Sequence, residues 1–233
     1  IPLPPLEVQK EIVTQIDSWQ KIIDGARQII DNYKPHIDID PSWPMVELGE
    51  VCRKITDGSH FSPPTISSGY PYVTVKDINN DQIDFSKCKS IDEKYFIELC
   101  KNDCRPYPND ILFSKDGTVG KVALVNYDKE FVVLSSLAII RPNIDLIVPE
   151  YLRIILKSPA FLKMATENKT GVAIKRIVLK TLKTLRIPLP DIHSQKLLVR
   201  TINDEESIIA QNSELMKLFE QKMNKLIAKL WLG

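Results

Sequence analysis

The sequence predicts an α+β chain: a mixed, β-rich domain over residues 41–186, preceded by a long helix (1–40) and followed by another (187–233), the two helices pairing as an antiparallel coiled coil. Three observations carry this. The chain repeats itself at an offset of 186 residues, both copies run into apolar stripes at helical spacing, and the stretch between them consists of short β-type runs punctuated by turns.

The repeat is plain at the chain's edges. Ile1–Pro4 and Ile187–Pro190 both read IPLP, Gln9-Lys10 recurs as Gln195-Lys196, Val13 as Val199, Ile16 as Ile202, and Ile22-Ile23 as Ile208-Ile209. The first helix, over about Leu6–Tyr33, carries Ile12, Ile16, Trp19, Ile23, Ala26, Ile30 and Tyr33 on one face. The second, over 191–230, carries Leu198, Ile202, Ile208, Ile209, Leu215, Phe219, Met223, Leu226 and Leu230. Pro190 and Asp191 mark its start, since proline suits a first turn and aspartate a cap. At the usual rise such helices are roughly 40 and 60 Å long. Neither can bury its stripe alone, so they are expected to pair through Ile12, Ile16, Trp19, Ile23 and Ile30 of one and Leu198, Ile202, Ile209, Leu215, Phe219, Met223 and Leu226 of the other.

Between them, Tyr72–Val75, Ile111–Ser114, Val122–Val125 and Phe131–Leu134 read as strands, with turn signals at Asp57-Gly58, Ser68-Gly69, Asn79-Asn80 and Asp116-Gly117. Ile111–Val125 reads as a hairpin with Lys115–Thr118 at its tip, and Pro149–Leu156 and Pro159–Ala165 read as short helices.

Composition narrows the function classes. With 233 residues, 43% hydrophobic and 26% charged, the chain can build a core, which excludes wholesale disorder. The net charge of +1 is not that of a basic nucleic-acid coat protein. Charge is concentrated locally, however: residues 163–186 hold seven basic side chains against the single Glu167. Cys52, Cys88, Cys100 and Cys104 form no C-x-x-C pair, and His36, His60 and His193 lie far apart, so no metal site is expected and the cysteines read as buried or free thiols of a cytoplasmic protein. The apolar run Phe131–Ile140 is too short for a bilayer, no secretory signal is visible, and no membrane partner is expected.

Catalytic signatures are missing as well. Gly117–Lys121 lacks the spacing of a phosphate-binding P-loop, and no G-x-G-x-x-G, G-x-S-x-G or H-E-x-x-H occurs. What remains is recognition. A DNA reader needs cations for phosphate and polar side chains for base edges. The loops offer Ser59, His60, Lys76, Asn79, Asn80, Ser114, Lys115, Thr118 and Lys121, and the basic segment adds Lys169, Thr170, Lys175 and Arg176. Each alone is an ordinary surface residue; the set, in a β-rich domain flanked by a helical assembly device, points to DNA. Two alternatives stay open: a coiled-coil scaffold that binds protein without reading DNA, and an enzyme with a cryptic carboxylate site at Asp110 or Asp116.

The whole combination resembles the specificity subunit of type I restriction–modification enzymes. The repeated IPLP-x4-QK helix starts carry the resemblance, as do LGEV at Leu48–Val51 with ITDGSH at Ile55–His60, Tyr70–Val73 with Lys76–Ile78, and Pro108–Gly120. Ser135-Ser136, Pro149–Leu152 and Thr170–Ala173 with Ile177 follow in family-like order. A full subunit of that family carries two target-recognition domains and two helices; this chain has one domain and two helices, and resembles the second half of such a subunit or a natural half-subunit.

The resemblance implies a non-catalytic chain whose target-recognition domain reads one half of a bipartite duplex site while the coil sets the distance to the other half. It implies modification (methyltransferase) subunits and a restriction subunit as partners, with self-association through the helices. S-adenosylmethionine, ATP and Mg would then be bound by those partners and no cofactor by this chain.

Overall fold

The computed structural model describes residues 4–33, 35–166 and 176–232, the last three by backbone alone. In chain order the elements are α1 (Leu6–Asn32), β1 (Met45–Glu47), β2 (Cys52–Asp57), β3 (Thr65–Ile66), β4 (Tyr70–Val73), β5 (Ile78–Asn79), β6 (Gln82–Ile83), β7 (Lys89–Ile91) and α2 (Glu93–Lys101). There follow β8 (Ile111–Ser114), β9 (Val122–Leu124), β10 (Val132–Val133), β11 (Leu137–Pro142), α3 (Pro149–Lys157), α4 (Pro159–Thr166), α5 (Leu179–Thr184), β12 (Arg186–Pro188) and α6 (Ile192–Leu232). This is the expected α+β class. The chain divides into two units, Ile37–Val199 and the helical unit formed by Ile1–His36 with Arg200–Gly233.

In the helical unit, α1 is 27 residues long and opens after Pro5, with Glu7 in its first turn where a carboxylate suits the helix dipole. Its buried or half-buried positions include Ile12, Ile16, Trp19, Ile23, Ala26, Ile30 and Tyr33, alternating in steps of three and four. The matching stripe of α6 runs through Ile202, Ile209, Met216, Phe219, Met223 and Leu226. Trp19 meets Phe219 with ring centroids 6.3 Å apart, and Tyr33 Oη donates to Glu205 Oε2 at 3.0 Å. Numbers rise along one helix as they fall along the other, so the pair is antiparallel. Burial and the Glu205 carboxylate push the Tyr33 phenol up to about 12.

Three residues of the sequence stripe lie off the seam, Ile208 being 55% exposed. Leu215 is 39% exposed, and its neighbour Met216 takes the seam, because the seam keeps a seven-residue step through 202, 209, 216 and 223. Leu198 belongs to the β-rich unit and packs against that unit's own core.

In the β-rich unit, β2-β11-β8-β9 form an antiparallel sheet. Alternate residues of its strands enter different cores. Ile111, Phe113, Ala138 and Ile140 pack with Tyr151, Leu152, Ile155 and Phe161 of α3 and α4 on one face. Leu112, Leu137 and Ile139 pack with Val73, Ile78, Ile83 and Val133 on the other. Both faces are buried, so β11 reads as a continuous apolar run rather than an alternation. A second sheet, β10-β4-β7-β3, pairs β10 with β4 in parallel and is backed by Phe96 and Leu99 of α2, a helix capped by Asp92. The sequence runs at 72–75 and 131–134 are shorter as strands than they read, since Val75–Asp77 turn into a 3-10 helix and β10 spans two residues.

The unit closes where it opens. β1 and β12 pair antiparallel, Met45 opposite Pro188 and Glu47 opposite Arg186. The IPLP motif at 187–190 is thus a closing strand as well as a helix entry. Tyr151 Oη donates to Pro188 O at 2.9 Å. Gln195, fully buried on the first turn of α6, donates from Nε2 to Leu146 O (3.1 Å) and Pro190 O (2.9 Å) and accepts at Oε1 from Val148 N (2.8 Å). Asp191 Oδ1 accepts from the His193 and Ser194 amides, the cap expected there. No helix among the described residues is long and apolar enough to cross a membrane.

Two stability outcomes follow from this packing. Gln195→Ala removes three hydrogen bonds to backbone groups, one buried and two half-buried, and should cost about 3 kcal/mol in chemical denaturation. Gly25 sits inside α1 with nothing within 4 Å of where a Cβ would lie. Gly25→Ala should therefore stabilise the chain by about 0.5–1 kcal/mol, seen as a higher melting temperature.

Candidate nucleic-acid interface

One end of the antiparallel sheet gathers the loops that follow β2 and β8 and the loop that precedes β11. Backbone bonds lace them together: Ser59 N to Val133 O (2.7 Å), Ser135 N to Ser59 O (2.8 Å) and Lys115 N to Ser136 O (2.9 Å). Gly58 is required here, since a Cβ would stand 2.4 Å from the carbonyl oxygens of both Val133 and Leu134.

Within this end, Ser59 and Ser114 are buried and spent on the loops themselves. Ser59 Oγ donates to Phe61 O, and Ser114 Oγ donates to Thr118 O (2.5 Å) while accepting from Lys121 N (2.7 Å). Lys115 is buried too, 1% exposed. Its Nζ lies 3.0 Å from Asp57 Oδ1, a contact of opposite charges that lacks the angle of a directed hydrogen bond. The same carboxylate holds His60, whose Nε2 is 3.3 Å from Asp57 Oδ2 and whose side chain is 65% exposed. So a buried cation fixes a half-buried anion, and the anion fixes an exposed imidazole.

The hairpin tip turns at Gly117, φ +73°, and Gly120, φ +97°, conformations that glycine adopts without strain. Thr118 is exposed at this tip. Lys121 Nζ donates to Val75 O (3.2 Å) and Ile78 O (2.7 Å), tying the tip to the segment that carries exposed Lys76, Asn79 and Asn80. Asn80 and Asp81 both have positive φ, as a tight two-residue hairpin between β5 and β6 demands. Asp81 braces that hairpin against α3 through Arg153 and Lys157. Arg176 lies against the tip as well, bridged antiparallel to Asp116, with its Nε 3.6 Å from Asp116 Oδ2.

Thus Ser59, His60, Ser114, Lys115, Thr118, Lys121 and Arg176 share one sheet end, and Lys121 links Lys76, Asn79 and Asn80 to it. Lys169, Thr170 and Lys175 lie outside the described residues. The sequence places Asp57 with His60 in a turn and gives it no part in recognition; in the structure Asp57 faces His60.

The two carboxylates considered for catalysis are both engaged. Asp110, 1% exposed, takes a two-pronged bond from Arg141 (2.8 and 2.7 Å), and Asp116 faces Arg176. That hydrogen bonding raises the Arg141 pKa. Among the described residues no group of three or more His, Cys, Asp or Glu side chains is placed to hold a metal ion.

Known proteins resemble this chain in sequence and in fold. The chain is 26% identical to the EcoBI type I restriction enzyme specificity subunit of Escherichia coli, over 100% of this chain and 58% of that protein. It is also 26% identical to a putative type I restriction enzyme specificity subunit, MjaX, of Methanocaldococcus jannaschii, over 83% of this chain and 46% of that protein. The chain therefore spans about half the length of these curated relatives. Among solved structures, the HsdS subunit from Thermoanaerobacter tengcongensis superposes with a TM-score of 0.53 at 22% identity, over 97% of this chain and 59% of that one. A chain from a type I restriction–modification assembly reaches 0.60 at 23% identity, over 100% of this chain and 61% of its own length. These structures share the fold. The family model for the type I restriction modification DNA specificity domain matches residues 41–218, more than half of the sequence and all of the sheet end described above, and the chain belongs to that family.

Proposed function

We propose that the chain is the recognition part of a type I restriction–modification enzyme. Its β-rich unit reads one half of a bipartite duplex target, and its helix pair sets the spacing to the other half and docks methyltransferase subunits. The observation that carries this is the sheet end where His60, Thr118 and Arg176 are presented on loops pinned by backbone hydrogen bonds. Such a surface is pre-organised for a groove: the loops need not be ordered on binding, and the exposed donors suit base edges and phosphate. The family assignment supports the same reading.

In this reading the chemistry belongs to the partners. Methyltransferase subunits bind S-adenosylmethionine and flip the target base into their own pocket. A restriction subunit supplies the ATP- and Mg-dependent steps. The chain works in the cytoplasm beside DNA and associates with partners, or with a second copy, through its helices. With a net charge of +1 it is expected to bind DNA weakly alone, its partners adding phosphate contacts.

Selection from random duplexes by the chain together with methyltransferase subunits of its own genome tests this. An enriched bipartite motif is expected; a stable protein complex that enriches nothing would leave the chain a protein-binding scaffold. Lys76→Ala should weaken binding equally across sequences and flatten the slope of log K against log salt by about 0.9, as loss of one phosphate contact does.

A further inference from the structure

Arg176 and Asp116 form a pair better suited to a base than to phosphate. We propose that Arg176 reads a guanine in the major groove, with Asp116 as the prop that aims it. This rests on the DNA-reading function above and gives one residue of the site a defined target.

The backbone on both sides of the pair is fixed. Asp116 and Arg176 form an antiparallel bridge, and the next residue, Ile177, is fully buried with its amide donating to Lys115 O at 2.7 Å. Asp116 Oδ1 accepts from Gly117 N at 2.9 Å, which locks the carboxylate onto the turn. Its other oxygen, Oδ2, faces Arg176 Nε at 3.6 Å. The guanidinium thus stands on a hydrogen-bonded backbone and beside a carboxylate whose position the turn sets, and the side chain remains 56% exposed.

Charge then selects the target. A phosphate approaching Arg176 would also approach the Asp116 carboxylate, and that repulsion offsets much of the attraction. A base edge carries no formal charge, so the Arg–Asp pair meets it without that repulsion. The ion pair engages Nε, the inner nitrogen of the fork, and leaves the two terminal nitrogens for a two-pronged contact with a base. An arginine can only donate. Of the four bases, only guanine offers two acceptors side by side, N7 and O6; adenine pairs its N7 with a donor, cytosine presents a donor, and thymine a single acceptor beside a methyl group. Guanine is therefore the match. Next to it, Asp57 and His60 repeat the scheme of an exposed donor held by a carboxylate, with buried Lys115 behind.

The test is selection from random duplexes by the chain with its methyltransferase subunits, run for the wild type, Arg176→Lys and Asp116→Asn. Lysine keeps the charge but lacks the fork; asparagine keeps an acceptor for Gly117 N but lacks the charge. The expected result is a wild-type half-site with an invariant guanine whose preference falls about ten- to a hundredfold in Arg176→Lys. Asp116→Asn should lower it several-fold at the same position, with all other positions unchanged. Both variants should melt with the wild type, since both side chains are largely solvent-facing. A wild-type motif that Arg176→Lys leaves intact, or weakens equally at every sequence, would overturn the assignment while leaving the DNA-reading function standing. Failure of the wild type itself to enrich any motif would overturn that function first.

Discussion

Gln195 is the residue on which the β-rich unit closes. Its amide joins the loop before α3 to the segment after β12, and it does so with both its donor and its acceptor occupied on a fully buried side chain. An amide fits where no other side chain would: Leu146 O and Pro190 O need donors and Val148 N needs an acceptor, and glutamine supplies both on one flexible stem. With that closure made, β12 lies beside β1, α3 lies over the sheet, and the sheet end can hold its loops in register. The first sequence repeat keeps the local part of the device, since Gln9 Nε2 donates to Pro4 O at 2.7 Å as Gln195 does to Pro190 O.

Two cations of the sheet end are paired with carboxylates, Lys115 with Asp57 and Arg176 with Asp116. Lys157 on Asp81, and Arg141 on Asp110 at the opposite end of the sheet, follow the same scheme. This reconciles a net charge of +1 with a chain that meets a polyanion: its positive side chains serve as aimed donors, and bulk attraction is a minor part of their use. Burying Lys115 carries a desolvation cost that a surface lysine would avoid. What that cost secures is the position of Asp57, and through it the position of His60.

Much of this was legible in the residues. Two long helices followed from stripes repeated at three and four, and the β8–β9 hairpin followed from an apolar pair of runs around Asp116-Gly117. The strand β11 was hidden inside Phe131–Ile140 because both its faces are buried, so it shows no alternation. α2 was hidden because Asp92-Glu93, its cap and first residue, look like any charged surface stretch. Ser114 and Lys115 read as turn-tip polar residues; what buries them is Asp57, 58 positions away from Lys115, and the Thr118 and Lys121 backbone. Long-range partners of this kind leave no periodic trace. Leu215 and Met216 differ by one position, and which of them faces α1 depends on the accumulated turn of the helix, which is finer than apolar content resolves.

The β1–β12 pairing has a geometric consequence for the chain as a whole. Met45 and Pro188 sit opposite each other on neighbouring strands, so the path that leaves α1 and the path that enters α6 run through a single doorway one strand-spacing wide. Everything between them is a loop in the topological sense. Its length and contents can change without moving either end of the doorway, provided the two three-residue edges still match and Leu146 and Val148 still reach the Gln195 amide.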